Sequence, residues 1–148
     1  MKTLFLLILI TGATFAQAQT SALLPAYFSL KDALVQGNSA TAAAKAGELI
    51  TALNTAEAKI TPKQKTEILA QTGSIVKSKD LKIQREHFAM LSSQMISLAK
   101  SSKLSQAPVY EMYCPMKKSS WLSAEQPVKN PYYGNSMLTC GKVIATIE

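Results

Sequence analysis

Two cysteines, Cys114 and Cys140, are the only thiols in this chain of 148 residues, and each has a methionine close by. Cys114-Pro115-Met116 places a thioether two residues after the first thiol. Met137-Leu138-Thr139-Cys140 places another three residues before the second. Thiolate and thioether are soft ligands that favour copper(I) over hard ions. Side by side, the two halves would make a sulfur site of up to four ligands, with Pro115 and Gly141 letting the backbone turn tightly around an ion. A Cys114–Cys140 disulfide is the other reading, and on spacing alone it is the default. It would close a loop of about 26 residues and contribute roughly 3 kcal/mol. The two readings exclude each other at any one moment. The spacing lacks the tight paired cysteines of structural zinc sites. His87, the only histidine, is a further candidate ligand, because on a helix it shares a face with Met90. A lone helical histidine is more commonly a polar rim residue.

The same stretch, Val109 to Val143, holds the only tryptophan, Trp121. With Tyr132 and Tyr133 it reads as the core of a loop region rather than a binding platform. Enzymatic function is not expected. A serine nucleophile would need His87 as its base, and no strained nucleophile turn accompanies it. There is no CxxC pair, no CxxCH haem-attachment motif and no glycine-rich phosphate loop.

Residues 1–18 read as a secretory signal peptide: Lys2, then the apolar run Leu4–Ile10, then Ala16-Gln17-Ala18 as the cleavage site. The mature chain is expected to start at Gln19 and to form one domain, with its cysteine-containing tail beginning near residue 105. No run approaches the roughly 20 apolar residues of a spanning helix. No cysteine stands directly after the apolar run, so no lipid membrane anchor is expected after cleavage. The expected location is periplasmic or secreted, where two cysteines favour a disulfide. The formal charge is +7, but the basic residues are spread out and do not alternate with aromatics. With export, that argues against nucleic acid as a partner and reads as a solvated basic surface.

Four helical segments must position the tail. The first, Ser21 to Gln36, has Tyr27, Leu30 and Leu34 on one stripe and stops at Gly37-Asn38. The second, Ser39 to Ala56, begins its stripe with Ala42, Ala43 and Ala46 and ends it with Leu49, Ile50 and Leu53. The third starts at Thr61-Pro62-Lys63-Gln64, a capping box with proline at the first helical position. Its expected buried side is Ile68, Leu69, Thr72, Ile75 and Val76. The fourth, Asp80 to Lys100, carries Leu81, Phe88, Leu91, Met95 and Leu98. Short connections predict a four-helix up-down bundle. The tail then reads as an irregular C-terminal cap that could pair two strands, Val109–Tyr113 and Met137–Ile147. Pro115, Pro127 and Asn130-Pro131 interrupt regular structure between them, and Gly134-Asn135 reads as a turn.

The chain resembles the family known as domain of unknown function 3347, found in exported bacterial proteins and in adaptor subunits of heavy-metal efflux pumps. The resemblance rests on Tyr27 with Leu30-Lys31-Asp32-Ala33-Leu34, on Gln84-Arg85-Glu86-His87-Phe88 with Leu91-Ser92, and on Val109-Tyr110. In the tail it rests on Cys114-Pro115-Met116, Trp121-Leu122, Asn130-Pro131-Tyr132-Tyr133-Gly134 and Met137-Leu138-Thr139-Cys140-Gly141. It implies a helical bundle, a cysteine-containing tail and a link to metal handling. The implied partner is a heavy-metal efflux or copper-handling protein. Two expectations follow: a copper-type metal-binding or delivery module using Cys114, Met116, Met137, Cys140 and His87, or a disulfide-stapled interaction module without metal.

Overall fold

The computed structural model describes residues 22–56 and 58–148. The expected signal peptide lies outside them. Four helices come first: α1 (Leu23–Gln36), α2 (Ser39–Thr55), α3 (Pro62–Lys77) and α4 (Leu81–Ser101). Each break has a local cause. The backbone N–H of Gly37 closes α1 on Ala33 O and Leu34 O. The Asn38 side chain then starts α2 by accepting from Thr41 N at 2.9 Å. Thr61 and Gln64 form the reciprocal capping box at α3, behind Pro62. The Asp80 carboxylate accepts from Lys82 N and Ile83 N at α4, which also favours the positive end of the helix dipole.

Consecutive helices pack on one another, and α1 meets α4 through side chains. Gln84, fully buried, explains part of the α4 pattern. Its Nε2 donates to Ser39 O and Ser78 O, both at 2.9 Å, tying the start of α2 and the end of α3 to α4. The neighbouring Arg85 donates to Leu34 O at 2.9 Å and so closes the end of α1.

Three strands follow, not two: β1 (Val109–Cys114), β2 (Ser119–Ser123) and β3 (Lys142–Ile147), antiparallel in the order β2-β1-β3. Two expectations are corrected. A strand does form between Pro115 and Pro127, because a short turn at Pro115–Lys118 returns the chain directly, with Lys118 at φ 54. The closing strand starts at Lys142 rather than Met137, since Gly134–Ser136 makes a 3-10 turn and residues through Cys140 stay irregular. A bulge between Glu111 and Met112 shifts the β1–β3 register.

One apolar core runs through helices and sheet. It joins Leu30, Leu34, Leu49, Ile75, Phe88 and Met95 to Val109, Met112, Cys114, Trp121 and Leu122. Val76, expected inside, is exposed. The joint between bundle and sheet is polar at its centre. The Tyr27 hydroxyl lies 2.6 Å from Ser92 Oγ on α4 and accepts from Leu122 N on β2 at 3.2 Å. Burial raises the pKa of this hydroxyl, so it stays protonated. From Tyr27 a buried aromatic chain leads into the sheet: stacked on Phe88 at 5.3 Å, then Tyr132 at 6.0 Å, then Trp121 edge-on at 5.8 Å.

Candidate metal centre

The site is built where β1 ends, the β1–β2 turn begins and β3 approaches. Cys114 is the last residue of β1 and is fully buried, while Cys140, two residues before β3, is partly exposed. Their Sγ atoms are 3.7 Å apart. A disulfide needs about 2.05 Å, so both thiols are free and the disulfide expected from spacing is not formed in this structure.

The turn after Cys114 aims a backbone donor at the buried sulfur. Lys117 N–H donates to Cys114 Sγ at 3.4 Å, and the Met116 backbone favours the charged form of Cys140. Such donors favour the charged form of an acceptor. Against them stands desolvation by burial, followed by the neighbouring Cys114, and together these raise the Cys140 pKa above the ordinary thiol value. Cys140 therefore keeps its proton at neutral pH in the absence of a ligand. A metal ion would have to displace that proton, so uptake should strengthen as pH rises.

Cys140 is held from the backbone side. Asn130, fully buried, uses all of its polar groups. Its Nδ2 donates to Cys140 O at 2.6 Å and its N–H to Leu138 O at 2.8 Å. Its Oδ1 accepts from Tyr132 N at 2.8 Å, and its carbonyl accepts from Gly134 N at 2.9 Å. Next to Cys140, Gly141 adopts φ 151, where a Cβ would sit 2.9 Å from Trp121 Cη2 and 3.1 Å from Tyr113 O. Only glycine lets this segment lie so close to the tryptophan. Gly134, at φ 55, does the same against α1, since a Cβ there would meet Val35 O and Arg85 Nη2 at 2.7 Å. Of the aromatic cluster expected as a loop core, Tyr132 is buried, Tyr133 is half-buried, and Trp121 is buried but in strand β2. Neither Asn130 nor Gly141 stood out as a support for Cys140, since an Asn-Pro step and a lone glycine look like ordinary turn residues.

The other candidate ligands are placed differently. Met116 is 62% exposed and Met137 37% exposed. The Met137 backbone is fixed beside Cys140, whose N–H donates to the Met137 carbonyl at 3.0 Å, and Met116 lies in the turn that follows Cys114. His87 faces α3, with Nδ1 2.8 Å from Gln71 Oε1. Among the described residues no three of His, Cys, Asp and Glu gather closely enough to hold an ion. His87 thus forms no such group with the two cysteines.

Replacing Asn130 with alanine should loosen Cys140 without touching either sulfur. The expected result is a fall of roughly 10–100-fold in metal affinity, the usual effect of losing an outer partner of a ligand, read by chelator competition.

No curated protein and no solved structure matches the chain. One family does, over residues 23–107. The matched segment takes in all four helices and stops before β1, so the cysteine-bearing sheet lies beyond it. It includes the buried Gln84 and Phe88, the helix-closing Arg85 and the Tyr27–Ser92 pair. With more than half of its length matched, the chain belongs to the family described as protein of unknown function (DUF3347).

Proposed function

We propose that this protein is a soft-metal, copper(I)-type binding or delivery module, exported to the periplasm or secreted, and not an enzyme. The observation that carries the reading is the pair of free sulfurs 3.7 Å apart, the buried one accepting the Lys117 N–H from the turn after Cys114. An ion about 2.3 Å from each sulfur, an ordinary zinc–thiolate distance, would subtend an angle near tetrahedral and leave two positions open. Met116 and Met137 are the donors at hand, and their softness selects copper(I) over zinc(II). His87 would act on the scaffold through Gln71 rather than as a ligand. The partner fitting such a module is a heavy-metal efflux or copper-handling protein.

The alternative, an interaction module stapled by Cys114 and Cys140, draws on the same short sulfur separation, because oxidation would need only a small closure. The methionines discriminate between the two. Replacing Met116 and Met137 together by alanine should weaken copper(I) binding and leave disulfide formation untouched. Affinity equal to that of the parent would remove the thioethers from the site and favour the staple.

A further inference from the structure

The sulfur pair is reached through Cys140, because Cys114 is fully buried and Cys140 is not. The surface around that approach is unusual for this molecule. Met116, Met137, Leu138 and Val143 are exposed large apolar side chains, and all lie in the two short segments that carry the pair. Lys118 and Lys142 are exposed in the same segments and Lys117 is half-buried. None of the three lysines is in an ion pair among the described residues. No Asp or Glu occurs at 112–124 or 126–147. Of the acids flanking these segments, Glu111 pairs with Lys100 and Glu125 with Lys129, and Glu148 follows Ile147, which pairs with Val109 at the far end of β1 from Cys114. The end of the sheet is therefore apolar and sulfur-bearing at its centre, with lysines outside any of these ion pairs beside it.

We infer that this end of the sheet is a docking face for an acidic protein that presents an exposed soft-metal ligand and exchanges copper(I) with Cys140. The inference rests on the metal reading proposed above. Apolar contact around the sulfurs excludes water from the exchange, and the lysines orient an acidic rim. A second copy of this chain is disfavoured as the occupant, since it would bring lysines against lysines. Exchange involves no redox step: copper(I) leaves the partner's thioether or thiolate, binds Cys140 and Cys114, and displaces thiol protons to solvent.

The test uses two copper(I)-loaded synthetic peptides as donors, each with one methionine pair, flanked in one by aspartates and in the other by lysines. Transfer to the reduced protein is followed by stopped flow. The acidic donor should transfer roughly ten-fold faster or more at low salt, the lower range of electrostatic steering, and the advantage should shrink at high salt. Lys118→Glu with Lys142→Glu should abolish or reverse the preference while equilibrium copper affinity stays at the parent value. Should that variant fail to fold, the salt dependence of the parent carries the test alone. Equal rates from the two donors, with copper still bound, overturn the docking face and leave the metal reading standing. Absence of copper binding overturns both. Cosedimentation of the parent with anionic phosphatidylglycerol vesicles, without any donor preference, assigns the face to a membrane and overturns the protein partner.

Discussion

Trp121→Ala is expected to destabilise the protein by about 3–5 kcal/mol, the usual cost of deleting a large buried aromatic. Trp121 is fully buried in β2, edge-on to Tyr132 and pressed against Gly141. The cavity would open beside the residue that follows Cys140, so the loss should reach the site as well as the core. Denaturant unfolding of the reduced protein measures the first effect and copper(I) competition the second. A loss below about 1 kcal/mol would contradict the continuous core, since that is the range of a surface substitution.

Replacing Cys114 by serine should have the largest effect on binding. It removes one of two anionic soft donors and leaves a hard hydroxyl in its place. The fall in copper(I) affinity should exceed the roughly 10–100-fold attached to outer partners of a ligand. Helical circular dichroism should stay near the parent, because the change from thiol to hydroxyl removes no heavy atom from the shared core. The pH dependence gives an independent sign. Since the Cys140 pKa is raised, parent affinity should climb with pH until that thiol is ionised. Cys140→Ser should flatten the climb.

The helices were legible because their boundaries rest on local chemistry. Thr61 with Gln64, and Gly37 with Asn38, act within one turn of where they stand in the chain. The sheet was harder to read. In β2 the three consecutive residues Trp121, Leu122 and Ser123 are all buried, so no alternation marks the strand. In β3 the apolar Val143 and Ile144 resemble an inward face, yet the strand is a sheet edge and both are exposed. The supports of the site were least visible. Asn130 and Gly141 matter through a carbonyl and a tryptophan that only the folded chain brings to them, and the short β1–β2 turn brings Lys117 N–H to Cys114 Sγ only once β2 has paired.

The central claim is that Cys114 and Cys140 hold one soft ion in the reduced state. Its most direct test is copper(I) competition against a chelator of modest affinity, with the thiols reduced and then with the pair oxidised to a disulfide. The account predicts one copper(I) retained per reduced chain and none per oxidised chain. No retention by the reduced protein, or equal retention by both forms, would contradict it.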